Sequence, residues 1–126
     1  MTRRYCLALD LKDDPQLIAE YEAHHRRVWP EVLASIRQSG IVSMEIYRLR
    51  TRLVMVMEVG GTFTFERKAA ADAANSTVQA WETLMWTYQQ AIPGGAPAAK
   101  WQLLDRIFDF PPSPGCLLYT SPSPRD

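Results

Sequence analysis

Residues 4–11 alternate, with Tyr5, Leu7, Leu9 and Leu11 on one side and Cys6, Ala8 and Asp10 on the other. That period of two predicts a strand with one strongly apolar face. Asp13, Asp14 and Pro15 follow, an acidic cap candidate and a proline suited to the first turn of a helix. A helix is predicted over 15–27, with Leu17, Ile18, Tyr21, His25 and Val28 at helical spacing. Trp29-Pro30 interrupts it, because the residue before a proline is pushed away from helical backbone angles. A second helical piece over 30–38 buries Val32, Leu33 and Ile36, and Ser39-Gly40 ends it.

Two more apolar runs, 42–49 and 52–59, predict strands joined as a hairpin through Arg50-Thr51, a turn without the favoured glycine or asparagine. After Gly60-Gly61 the chain is helical in two pieces, 63–74 and 77–92, with Asn75-Ser76 as the break and new cap. A loop rich in glycine and proline at 93–99 leads to a last strand over 100–110. The order βαββαβ is that of the ferredoxin-like α+β sandwich, an antiparallel sheet with the helices on one face. Leu53, Met55 and Met57 alternate with Val54 and Val56, so both faces of the sheet carry apolar residues. One face meets the helices, and a second copy of the sheet is the economical cover for the other. A homodimer is expected on those grounds.

Composition narrows the function. With 126 residues the chain holds one domain, assigned to 1–110. Fourteen basic and 14 acidic residues cancel, and the basic ones are scattered, so the footprint of a nucleic-acid binder is missing. No apolar run approaches the roughly 20 residues that span a bilayer. The start, MTRRYCLALDLKDD, turns acidic too early for a signal peptide, which makes the cytoplasm the expected location. The two cysteines, Cys6 and Cys116, form no metal spacing and no disulfide framework. Residues 111–126 read as a disordered tail rich in proline and serine. Within it, 116–126 (CLLYTSPSPRD) resembles the in-frame translation of a transposon-based sequencing adapter and is set aside from the fold like any fusion scar.

His24 and His25 are the only histidines. Neighbouring helical positions differ by about 100°, so the two are expected to face differently. His25 follows Tyr21 by four residues and shares its sheet-facing side, whereas His24 is expected to turn aside and be more exposed. His25 is either a hydrogen-bonded packing residue or a general acid/base, since histidine titrates near neutrality. Trp81, Met85 and Tyr88 form an aromatic stripe that is either core or a platform for the apolar face of a sugar ring. Tyr21, Tyr47, Glu45, Glu58, Glu82 and Asp10 are candidates for reading hydroxyls. The sequence carries no Gly-rich phosphate loop, no nucleophile triad pattern and no metal-ligating cluster. Proton transfer or simple binding, without cofactor or metal, is the chemistry that fits.

YEAHHRRVWPEV (21–32) resembles the Tyr-x3-His-x3-Trp-Pro-Glu signature of the L-rhamnose mutarotases. The resemblance continues through MEIYR (44–48), LVMVMEV (53–59) and VQAWETLMWTYQQ (78–90), covering roughly 4–110. It implies a dimeric α+β barrel that interconverts the α and β anomers of a 6-deoxy-L-sugar without metal or cofactor. By motif, His25 would be the catalytic acid/base, Tyr21 a substrate-binding neighbour and Trp81 the first of the paired pocket tryptophans, while Tyr47 and Glu82 are substrate-binding candidates as polar groups able to read sugar hydroxyls. Two positions depart from the pattern: Glu82 stands where the second pocket tryptophan is found, and Met44 where a pocket tyrosine is found. The stretches ALDLKDDP, MEIYR and LMWTYQQ are more similar to the L-fucose branch, which makes L-fucose the favoured sugar and L-rhamnose the next. In the mechanism this implies, His25 protonates the ring oxygen on opening while Tyr21, a carboxylate or water relays the anomeric proton. A cofactor-independent monooxygenase and a non-catalytic ligand-binding protein of the same dimeric fold are the competing readings.

Overall fold

The computed structural model describes residues 2–94 and 100–110. The tail at 111–126, with its adapter-like stretch, and residues 95–99 of the loop lie outside the described residues. In chain order the elements are β1 (Arg3–Leu11), α1 (Pro15–His25), α2 (Pro30–Gln38), β2 (Ile41–Leu49), β3 (Arg52–Val59), α3 (Phe65–Ala73), α4 (Ser76–Trp86), β4 (Gln89–Gln90) and β5 (Gln102–Leu103). The sheet is antiparallel in the order β2-β3-β1-β4, and β5 also pairs with β1. This is the ferredoxin-like arrangement expected from the element order.

Local chemistry sets the helix ends. Asp14 accepts from the backbone N–H of Gln16 and Leu17, and Asn75 does the same for Thr77 and Val78, so each side chain satisfies orphan donors of a first turn. Thr64 caps α3 by accepting from Arg67, which places the start of that helix just after the buried Phe63. Gly40 ends α2 with φ at 97°, a backbone angle that side chains rarely adopt. A Cβ there would also crowd the Thr62 hydroxyl at 3.2 Å.

Residues directly opposite in the ladders share a face. Leu7, Leu9 and Leu11 of β1 therefore join Leu53, Met55 and Met57 of β3 beneath the helices. One core cluster gathers Leu11, Tyr21, Val32, Leu53, Trp81, Met85 and Tyr88, and a second gathers Leu7, Ile41, Met57, Val59 and Phe63. Ile36 and Trp101 pack against both clusters and tie them together. Leu9, Leu11, Leu53, Val59 and Phe63 are essentially sealed from water, each burial contributing about 1.5–3 kcal/mol. The other face carries Cys6, Ala8 and Asp10, then Val54 and Val56, then Glu45 and Tyr47. Asp10 is buried there and accepts from the Arg52 guanidinium directly across the ladder.

Two expectations are corrected. The helix expected over 77–92 stops at Trp86, and Gln89 and Gln90 pair with Leu11 and Asp10. Lys12 N–H also donates to the Tyr88 carbonyl at 2.9 Å. Pairing the buried edge of β1 overrides the local helical pattern, because backbone groups there would otherwise lack partners. The last strand, expected over 100–110, is reduced to Gln102–Leu103. Since Gln102 and Leu103 lie opposite Ala8 and Leu7, β4 and β5 follow one line along β1, split by an insertion. The Leu104 N–H still donates to the Cys6 carbonyl at 2.8 Å. Continued in register, the ladder would next set Arg106 against Arg4, like charge against like, and it ends before that point. Beyond it Ile107 is 95% exposed, and Phe108 and Phe110 are 76% exposed.

The turn from β2 to β3 holds Arg50 at φ 55°, the one positive φ at a non-glycine position among the described residues. A side chain in this left-handed region costs about 1–2 kcal/mol, and asparagine tolerates it better. Arg50→Asn is therefore expected to stabilise the fold by about 0.5–1 kcal/mol. A urea titration checks it: the midpoint rises and the slope stays unchanged.

Candidate active site

The sequence places Tyr21 and His25 one turn apart on α1, and the structure sets both in the wall of one cavity between α1 and the sheet. Its volume is about 180 Å³, and Ile46 and Leu53 from the sheet line it together with Glu22, Arg26 and Arg48. The two rings lie 4.4 Å apart between centroids. His25 Nδ1 is 2.9 Å from the backbone carbonyl of Tyr21. A carbonyl only accepts, so Nδ1 carries the proton and the lone pair of neutral His25 sits on Nε2. Burial lowers the His25 pKa from its ordinary value and neighbouring His24 adds to this, while the bond to the Tyr21 carbonyl opposes it. The resting side chain is thus a neutral imidazole at physiological pH.

Tyr21 is buried, and its hydroxyl accepts a hydrogen bond from Gln89 Nε2 at 3.2 Å. Burial pushes the phenol up to about 12, with the Gln89 bond opposing and the charge of Glu82 reinforcing. Tyr21 therefore keeps its proton across the physiological range. Gln89 is 4% exposed, and its Oε1 has no hydrogen-bond partner. The sequence sets Gln89 beside the aromatic stripe of Trp81, Met85 and Tyr88 but gives it no role. It is one of two adjacent glutamines in a stretch that reads as the end of a helix, and only the switch to β4 turns it inward.

Trp81 is buried beside the site, with its ring 5.7 Å from His25 and 5.2 Å from Trp29. His24 departs from expectation. It is half-buried, and its Nε2 lies 3.1 Å from the Tyr88 hydroxyl. Trp81 reaches both histidines edge-on.

Tyr47 and Glu82 are not brought to the His25 cavity. Tyr47 points to the opposite face of the sheet, 57% exposed, and donates to Glu45 at 2.9 Å. Glu82 takes the Lys100 ammonium at 2.9 Å and lines a separate, open groove with Lys12, Trp86 and Thr87. Met44 packs against the second core cluster. Among the described residues there is no group of three or more His, Cys, Asp or Glu side chains suited to a metal ion. No helix among them is long and apolar enough to cross a membrane.

Comparison with known proteins follows the same lines. A family model described as L-rhamnose mutarotase matches residues 4–110. An L-fucose mutarotase of Xanthomonas campestris is 53% identical over 108 residues, covering 84% of this chain and 86% of that protein. The crystal structure of an L-rhamnose mutarotase from Formosa agariphila superposes with a TM-score of 0.63 at 20% identity, over 85% of this chain and 97% of that one. A cofactor-independent oxygenase from Streptomyces nogalater superposes with a TM-score of 0.50 at 11% identity, over 87% of this chain and 97% of that one. At such identities the two structures speak for the fold alone.

Proposed function

Since the chain belongs to the L-rhamnose mutarotase family, we propose that it interconverts the α and β anomers of L-fucose, with L-rhamnose as the second candidate. The observation that carries the choice of sugar is the 53% identity to an L-fucose mutarotase over 84% of the chain. The cavity supports the chemistry. It offers a neutral imidazole and a protonated phenol side by side over an apolar floor of Ile46 and Leu53.

Ring opening removes the proton of the anomeric hydroxyl, breaks the bond between the anomeric carbon and the ring oxygen, and adds a proton to that oxygen. His25 Nε2 takes the first proton, and the Tyr21 hydroxyl gives the second. After the new aldehyde rotates, closure on its other face returns both protons and restores both side chains. The mechanism expected from the sequence made His25 the acid on opening. The Nδ1 bond to the Tyr21 carbonyl and the lowered pKa favour the base's part for its resting form instead. Trp81 closes the site behind His25. Tyr47 and Glu82 have no part in this proposal, since each faces elsewhere.

The rate should then depend on pH with a definite sign. Protonated His25 has no lone pair on Nε2, so kcat rises with pH through a value below 6.5 and then stays flat. Tyr21, at about 12, adds no falling limb until well above pH 10. The relaxation of optical rotation of freshly dissolved L-fucose, followed from pH 4 to pH 10, tests this. A rate that falls on going from pH 5 to pH 8 would assign the acid form of His25 to the opening step and overturn both proton-transfer roles.

The working unit proposed is a homodimer in the cytoplasm. Support for the dimer comes from the half-buried Val54 and Val56 on the face away from the helices, and from the exposed Ile107, Phe108 and Phe110. Exposed apolar surface of this kind marks protein–protein contact.

A further inference from the structure

Arg48 stands where the strand pattern calls for an apolar side chain. It lies directly opposite Leu53, and opposite residues share a face, so it belongs to the helix-facing row that also holds Met44 and Ile46. From there its guanidinium reaches across to α1, where Nε lies 2.5 Å from a carboxylate oxygen of Glu22. Its Nη1 donates to the Arg50 carbonyl at 2.8 Å, which fixes the plane of the group. Arg48 and Glu22 line the cavity that contains Tyr21 and His25, at its polar side. Their side chains are 34% and 43% exposed, and an ion pair so open to water contributes little to stability.

The arrangement suits a ligand better than it suits the fold. A guanidinium carries five N–H donors in a plane, and only part of that set is used by Glu22 and Arg50. The carboxylate beside it has accepting capacity left. A donor and an acceptor held next to each other match two neighbouring hydroxyls, one accepting from the guanidinium and one donating to the carboxylate. The rest of the cavity has the complementary character, with apolar Ile46 and Leu53 for the C–H face of a ring and His25 for the reacting end. We propose that Arg48 and Glu22 form a clasp that reads neighbouring hydroxyls of the sugar, away from the anomeric carbon, and so sets which 6-deoxyhexose is accepted. This role rests on the mutarotase reading of the His25 cavity.

The test compares Arg48→Met with the parent chain on L-fucose and on its analogues lacking one hydroxyl at carbon 2, 3 or 4. Anomer exchange gives KM and kcat, and calorimetry gives direct binding. Loss of a hydrogen bond to a charged group weakens binding roughly tenfold or more. Arg48→Met should raise KM for L-fucose by about that factor with kcat within a few-fold, the pattern of lost uniform binding. One analogue should bind the parent chain roughly tenfold or more weakly than L-fucose, yet bind Arg48→Met almost as well as L-fucose does, because the partner is already gone. Glu22→Gln keeps the shape and should show the same pattern at an adjacent hydroxyl; it serves alone if Arg48→Met melts early. Unchanged KM and binding in both variants, or an equal penalty for every analogue in parent and variant, overturns the clasp. Tight L-fucose binding that needs Arg48, without any acceleration of exchange, supports the clasp and defeats the mutarotase reading. A parent chain that binds neither L-fucose nor L-rhamnose defeats both.

Discussion

Replacing His25 with alanine lowers the rate of anomer exchange by about 10²- to 10⁴-fold, the contribution of one well-placed acid/base group, while the chain stays folded. The side chain is only half-buried and its one hydrogen bond is to a backbone carbonyl of its own helix, so its removal leaves the core clusters in place. Water already mutarotates sugars slowly, and a single neutral imidazole supplies the help that the reaction needs. His24→Ala is the internal comparison. Its ring is engaged with the Tyr88 hydroxyl and is absent from the wall of the His25 cavity, so it should change the rate far less. Exchange measured with both variants, alongside circular dichroism to show the fold intact, separates the two histidines. Equal losses would assign the chemistry to the aromatic cluster as a whole.

Trp81→Ala acts on the fold as strongly as His25→Ala acts on the rate. The indole is 6% exposed and belongs to the cluster of Leu11, Tyr21, Val32, Leu53, Met85 and Tyr88. Truncating a buried tryptophan costs about 3–5 kcal/mol, a large part of the roughly 5–15 kcal/mol typical of a whole domain. The urea midpoint should therefore collapse, and the edge-on contacts that hold both imidazoles and Trp29 disappear with it. Trp81→Phe keeps an aromatic ring in the same place. It should recover most of the stability but only part of the activity, because a smaller ring leaves His25 less firmly backed. A stable Trp81→Ala chain would mean that the helices do not depend on this contact.

What could be read from the chain follows from the range of the forces involved. Short-range signals served well. Asp14 and Asn75 cap the helices they precede, Trp29-Pro30 divides α1 from α2, and the spacing of Tyr21 and His25 puts them on one side of a helix. Long-range pairing was the blind spot. Tyr88 to Gln90 has helical composition, yet the open edge of β1 draws the last two into the sheet and turns Gln89 toward Tyr21. Arg48 was visible only as one residue of a strand, since alternation assigns a face without saying what that face meets. For Tyr47 and Glu82 the direction was equally out of reach, because sequence position does not state which way a side chain points. The sheet carries Tyr47 to the far face, and Lys100 holds Glu82 at another groove.

The mutarotase reading is tested most directly by saturation transfer between the anomeric protons of L-fucose, with and without catalytic amounts of the protein, and by the same measurement on L-rhamnose. The protein should speed exchange for L-fucose more than for L-rhamnose. A folded chain that accelerates exchange of neither sugar would contradict that reading.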